Sequence, residues 1–204
     1  MRRTGWIVVA GISALSGCAQ PAPKAVQPLP HVVMETELGP VELVIEANRA
    51  PITSNNFLSL VDRKVYDGAT FYRTVTLAND NGDPKIEVIQ GGVGDGDKRV
   101  TPIAHEPTSQ TGLHHGDGTI SMARFKPGTA GSEFFITIGD QPALDAGAMR
   151  NKDGLGFAAF GHVVKGMDVV RAIQLRPATG SASDPYVKGQ MINPPVRIIS
   201  VRRK

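Results

Sequence analysis

The chain has a single cysteine, Cys18, in 204 residues, so no disulfide can form within it. The apolar run at Trp6–Leu15 is roughly ten residues long, whereas a bilayer-spanning helix needs about 20. Charge of one sign is scarce. Two of the 22 basic residues, Arg2 and Arg3, lie at the extreme N-terminus, and the remainder balance the 19 acidic residues to within one charge. No basic patch with interleaved aromatics is present, so no nucleic-acid partner is expected. Gly131-Ser132-Glu133 lacks the Gly-x-Ser-x-Gly elbow of a serine nucleophile. His105-Glu106 is followed by Pro107, which rules out a two-histidine zinc helix. The glycine-rich run at 91–97 lacks the Lys-Ser/Thr of a phosphate loop, and Gly96 stands where a calcium loop needs Asp. It reads as a plain turn. His114, His115 and Asp117 lack a further ligand at metal spacing, so no metal and no cofactor are expected. No nucleophile–base pair presents itself, so if the protein is an enzyme its chemistry should not need a covalent intermediate.

What is present begins with an ordered leader. Met1-Arg2-Arg3 is positive, Trp6–Leu15 is apolar, and Leu15-Ser16-Gly17-Cys18 follows. Charge, short apolar run and small residues read as an export signal. The ending resembles the bacterial lipobox, which implies lipidation at Cys18. The other reading is a buried or redox cysteine after an ordinary signal. Ala19 rather than Asp follows the cysteine, which resembles the outer-membrane-sorted type if the source is Gram-negative. The expected location is therefore exported and lipid-anchored to a bacterial membrane facing the periplasm, the outer membrane if the source is Gram-negative. Gln20–Pro30 is Pro-rich and reads as a semi-rigid tether, about 30–40 Å long in polyproline II form. The expected organisation is a signal over 1–17, a lipidated cysteine and tether over 18–30, and one folded domain over 31–204.

Hydrophobic content of 41% and charged content of 20% suit a globular domain. The 23 glycines and 15 prolines favour short elements and many turns. His31–Leu38 and Val41–Ala47 alternate around Gly39-Pro40 and read as a hairpin. Ala50–Lys64 changes to helical spacing through Ile52, Asn56, Leu58 and Val61, with Pro51 in the first turn. Strand character returns at Thr70–Thr76, Ile86–Gln90, Thr119–Arg124, Glu133–Ile138, Gly156–Val164 and Val196–Val201. Residues 93–117 read as irregular, and Met167–Leu175 as a second short helix. About eight short strands do not alternate with long helices, so a parallel sheet is not expected. The fold class predicted is mainly β: an eight-stranded antiparallel closed barrel flanked by two α-helices. Within Glu133–Ile138, Phe134, Ile136 and Ile138 share one face. Phe135 faces the other way among small residues, as a pocket wall or part of a second core.

One constellation is left: Phe71-Tyr72-Arg73, Ile89-Gln90-Gly91-Gly92, GTISMAR at 118–124, GSEFFI at 131–136 and AAFGHVVKGMDVV at 158–170. In order and content these segments resemble the cyclophilins, and the resemblance covers about residues 31–201. It implies a peptidyl-prolyl cis-trans isomerase. An X–Pro amide rotates over a barrier of roughly 18–20 kcal/mol without any bond being made or broken. By resemblance, Arg73 donates to the prolyl nitrogen in the twisted state. Phe135 floors an apolar pocket walled by Val88 and Leu144, and Gln90 positions Arg73 or a substrate carbonyl. The backbone at Ala123, Arg124 and Phe125 pairs with the substrate, and Phe71 and Phe157 complete the site. The implied partners are Pro-containing segments of exported proteins and, through Cys18, a membrane; the domain is read as a monomer.

This chain departs from the family at several positions. Glu87 stands where a pocket-lining Phe is usual, and Val88 where a larger residue is. Arg124 replaces Asn, Glu133 replaces Gln, Phe125 replaces a small residue, and Phe157 stands where His is frequent. Ala143 lies near the Trp position associated with cyclosporin contact, which implies weakened cyclosporin binding. An insertion at about 77–85 blurs the alignment of Glu87 and Val88. The alternative is a proline-peptide binding or chaperone module on the same fold with little turnover, motivated by Glu87 and Arg124, whose charges at the pocket rim could recruit charged peptides.

Overall fold

A computed structural model describes Met1, residues 28–94 and residues 97–204. The expected signal, Cys18 and most of the tether lie outside the described residues. The elements run β1 (His31–Thr36), β2 (Gly39–Ile45), α1 (Pro51–Asp62), β3 (Thr70–Val75), β4 (Val88–Gly92), α2 (Thr108–Thr111), β5 (Thr119–Met122), β6 (Phe134–Thr137), β7 (Ala158–Lys165), α3 (Met167–Gln174) and β8 (Met191–Arg203). All eight strands close into one antiparallel barrel in the order β1-β2-β7-β5-β6-β4-β3-β8. The predicted strands and two helices are thus present. A third helix, the single turn α2, lies in the segment read as irregular.

Alternation accounts for the barrel interior. Met122, Phe134 and Ile136 are fully buried in the main core, along with Val32, Leu43, Phe71, Ile89 and Phe160. Phe57 of α1 extends this core, with its ring 5.1 Å from Phe160 and 6.2 Å from Phe134. The helix buries Leu58 and Val61 of the expected stripe, with Phe57 and Leu60 beside them, while Ile52 and Asn56 lie outside it. Ile52 is exposed, and Asn56 turns outward to donate to the Gly131 carbonyl at 2.7 Å. The first turn of α1 lacks a local cap. Its Ile52 and Thr53 N–H groups donate instead to the buried Glu106 carboxylate, at 3.1 and 2.6 Å. Satisfying orphan N–H groups with an anion suits a helix N-terminus.

Gly91 and Gly161 permit close backbone approach. A Cβ on Gly91 would sit 2.6 Å from the Thr70 carbonyl oxygen, and one on Gly161 2.4 Å from that of Val44. A second apolar cluster lies outside the barrel, formed by Val75, Ile86, Val88, Phe135 and Leu144.

Candidate active site

The outer cluster opens into a cleft of about 780 Å³. Phe135 forms its floor, with Ile86, Val88 and Leu144 around it. Phe157 meets Phe135 edge-on, ring centroids 5.2 Å apart and planes at 87°. Beneath the floor, the buried His115 ring stacks on Phe135 at 5.9 Å and 19°. Its Nδ1–H donates to Asp145 Oδ1 at 2.6 Å, and its Nε2 is hydrogen-bonded to the Ser121 hydroxyl at 2.9 Å. Burial pushes the Asp145 carboxyl up, but hydrogen bonds from His115 and His114 outweigh it and hold the pKa below its ordinary value. Ser121 is fully buried, so this Ser-His-Asp chain supports the floor and offers no accessible nucleophile. Asp117 goes elsewhere, to Arg171 at 2.7 Å. Among the described residues, no three His, Cys, Asp or Glu side chains cluster as a metal site.

Arg73 forms the wall beside this floor. A bulge in β3 between Phe71 and Arg73 breaks the alternation. Phe71 turns into the barrel, fully buried and edge-on to Phe134 at 5.6 Å. Tyr72 and Arg73 both face the cleft. Phe71, expected to touch substrate, is therefore a core residue, and Tyr72 takes the rim position. Arg73 Nη1 donates to Gln90 Oε1 at 2.9 Å. Its Nε and Nη2 donate to Gln190 Oε1 at 2.9 and 2.6 Å. Burial lowers the Arg73 pKa from its ordinary value, and a guanidinium stays charged in spite of this. The network runs on from Gln90 Nε2 to the Tyr72 hydroxyl at 2.8 Å, then from that hydroxyl to Glu133 Oε2 at 2.6 Å. Glu133 also accepts from the Gly94 N–H at 2.9 Å. A carboxylate at 133 thus ends a relay of donors that starts at Arg73.

The two suspected rim charges resolve differently. Glu87 does not line the cleft: it accepts from Gln174 of α3 at 3.2 Å. Period-two alternation puts Ile86, Val88 and Gln90 on one face and Glu87 on the other. Ile86 lines the cleft and packs in the Phe135 cluster. Arg124 lines the cleft, but its side chain is 1% exposed and paired with Asp153 at 2.8 Å. It also donates to the Gly156 carbonyl at 2.6 Å and lies 5.5 Å over the Phe157 ring. The Arg124 hydrogen bond holds the Asp153 pKa down at about 2. Ala123 donates its N–H to the Glu133 carbonyl at 2.8 Å, and Phe125 stands 80% exposed on the rim.

The cleft thus brings together Arg73, Val88, Gln90, Ala123, Arg124, Phe125, Phe135, Leu144 and Phe157. The sequence reading missed Tyr186, Arg150 and Gln190. Tyr186 lies between two cations, 5.7 Å from Arg73 Cζ and 5.6 Å from Arg150 Cζ. No periodicity marks these residues, which sit in irregular segments far along the chain from Arg73.

A closed eight-stranded barrel carries a fixed arginine beside an apolar, aromatic-floored cleft, the fold and arrangement that the cyclophilin resemblance implied. Residues 31–203 match the family described as cyclophilin type peptidyl-prolyl cis-trans isomerase. A peptidyl-prolyl cis-trans isomerase from Acinetobacter baylyi is 36% identical over 177 residues, covering 85% of each chain. Peptidyl-prolyl cis-trans isomerase A from Dickeya dadantii is 33% identical, covering 82% of this chain and 83% of its own. A solved cyclophilin from Cryptosporidium parvum superposes with a TM-score of 0.63 at 22% identity, over 86% of this chain and 98% of that one, a likeness of fold. The chain belongs to the cyclophilin-type peptidyl-prolyl cis-trans isomerases.

Proposed function

We propose that this isomerase accelerates X–Pro rotation through one hydrogen bond, from the Arg73 guanidinium to the prolyl nitrogen. The observation that carries this reading is the placement of Arg73. It is held by Gln90 and Gln190 at the wall of a cleft whose floor is the apolar ring of Phe135. The proline ring sits on Phe135 between Val88 and Leu144 while the acyl side turns. In the planar amide the nitrogen lone pair is delocalised and accepts poorly; in the twisted state it is localised and accepts well. The bond therefore favours the transition state over both ground states. Nothing in this step needs a nucleophile, a metal or a cofactor.

A binding module with little turnover drew its support from two free rim charges. Glu87 faces Gln174 and Arg124 is neutralised by Asp153, so that support falls away. A protease-coupled proline-peptide assay tests the proposal. Arg73→Ala should lose about 10²–10³ of the rate, the scale of losing one fixed transition-state donor. Unchanged turnover would refute the mechanism.

The leader adds a location. Lipidated at Cys18, the domain assists the folding of exported proteins from a membrane surface on the periplasmic side, the outer membrane in a Gram-negative cell. The order of basic residues, apolar run and Leu-Ser-Gly-Cys supports this. Labelling with a palmitate analogue should mark the wild type and not Cys18→Ser; equal labelling would exclude Cys18 as the anchor.

A further inference from the structure

The segment between α3 and β8 closes over Arg73, and its last residue makes the closest contact. Gln190 is fully buried. Its side-chain oxygen accepts from both Nε and Nη2 of Arg73, at 2.9 and 2.6 Å. Its side-chain nitrogen donates to the Asn79 carbonyl at 2.8 Å. This orientation is dictated by chemistry: a guanidinium only donates and a carbonyl only accepts, so the amide cannot be reversed. The Gln190 backbone is fixed too. Its N–H donates to the Val187 carbonyl at 3.1 Å, and its carbonyl accepts from the N–H of Thr74, next to Arg73, at 2.9 Å.

Asn79 belongs to the insertion between β3 and β4. Its side-chain nitrogen donates to the Gly189 carbonyl at 3.0 Å, and that of Asn81 to the Lys188 carbonyl at 2.9 Å. The insertion and the 184–190 segment thus clasp each other, and Gln190 is where the clasp meets the guanidinium.

A guanidinium carries five N–H donors. Gln190 takes one on Nε and one on Nη2, and Gln90 takes one on Nη1. One N–H on each terminal nitrogen remains outside these bonds. Tethered by Gln90 alone, the head group could rotate about its long side chain. The two-point grip on the Nε–Nη2 edge fixes its plane as well.

We propose that Gln190 is a positioning residue for the isomerase reaction, orienting the Arg73 guanidinium so that a terminal N–H faces the proline pocket. The inference rests on the donor role of Arg73 proposed above. A misplacement of about 1 Å can cost up to ~10²-fold in rate, so partial loosening should cost roughly tenfold.

The full chain tests this with Gln190→Leu, Gln190→Glu, Arg73→Ala and the double variant Arg73→Ala/Gln190→Leu. Gln190→Leu removes the acceptor, and kcat should fall roughly tenfold with KM little changed. Gln190→Glu keeps acceptor oxygens on Arg73 and should retain most of the rate. The double variant should be no slower than Arg73→Ala. If Arg73→Ala is slow and Gln190→Leu turns over normally, Gln190 has no positioning role and the donor role stands. If the two losses multiply, Gln190 acts only by holding the fold, and the proposal is overturned. If Arg73→Ala retains full rate, the donor role falls first and this inference with it. Exchange of the Arg73 Nε proton, followed by nitrogen-15 NMR in the wild type, decides the matter should Gln190→Leu not fold. It should be slow against exposed arginines, and free exchange would overturn the grip itself.

Discussion

The imidazole of His115 lies almost parallel beneath Phe135, 5.9 Å from ring to ring, and is pinned between Asp145 and Ser121. The floor of the cleft is therefore a stacked pair, and its lower member is held by hydrogen bonds at both nitrogens. His115→Ala removes the stack and two buried hydrogen bonds together. It should lower stability by about 2–4 kcal/mol, measured by urea titration, because the cavity and the lost hydrogen bonds both cost. Substrate turnover should fall as Phe135 drops or tilts. Wild-type KM and stability in His115→Ala would show that the stack does not support the floor.

Asp80 and Arg150 form a buried pair, bidentate at 2.7 and 2.8 Å, with side chains 0% and 3% exposed. Arg150 also donates to the Pro84 carbonyl at 2.6 Å. The pair joins the insertion to the 145–155 segment on the far side of the cleft. Asp80→Asn should cost about 3–5 kcal/mol, since it leaves a buried charge uncompensated. Replacing both partners by leucine should recover much of that loss. Thermal unfolding of the single and double variants separates the two cases; equal damage in both would contradict the desolvation argument.

Glu42 links the strands at the barrel seam. Its carboxylate accepts from Lys204 at 3.0 Å and His31 at 2.9 Å, with Lys165 at 3.6 Å. The hydrogen bonds from Lys204 and His31 hold its pKa at about 2 against an ordinary 4.5. A folded-state value below the unfolded one means the cluster contributes fully above pH 4.5 and loses its contribution as pH falls towards 2. The wild type should lose stability across that window more steeply than Glu42→Gln. Parallel pH profiles of the urea midpoint would assign the acid loss to other groups.

Ala143 packs against the Phe135 cluster where the family's cyclosporin-contacting Trp is expected. Without an indole, cyclosporin should bind at least about tenfold more weakly than to Trp-bearing cyclophilins, the scale of losing one aromatic anchor. Ala143→Trp should tighten it in an inhibition titration. No gain on that change would mean that another residue sets the affinity.

Much of the fold was legible because it follows local periodicity. The β5–β6 hairpin and the opposed faces of Phe134 and Phe135 follow from alternation alone. The same rule places Glu87 away from the cleft, opposite Val88, although the family alignment pointed the other way. Phe71 fails the rule for a physical reason: the β3 bulge inserts one residue before Arg73, and nothing in Phe71-Tyr72-Arg73 announces it. In α1 Asn56 leaves the buried stripe and donates instead to the distant Gly131 carbonyl.

The sequence by itself determined the barrel class and the opposed faces of Phe134 and Phe135, and its motifs carried the resemblance that pointed to Arg73. Those properties lie in alternation, in residue type and in motifs a few residues long. The tertiary structure decided how the arginine is held, what supports the floor, and which charges stay at the rim. Gln190 reaches Arg73 from 117 positions along the chain, out of an irregular segment. Such a contact leaves no period to read, because it exists only after the barrel has closed and the two loops have met.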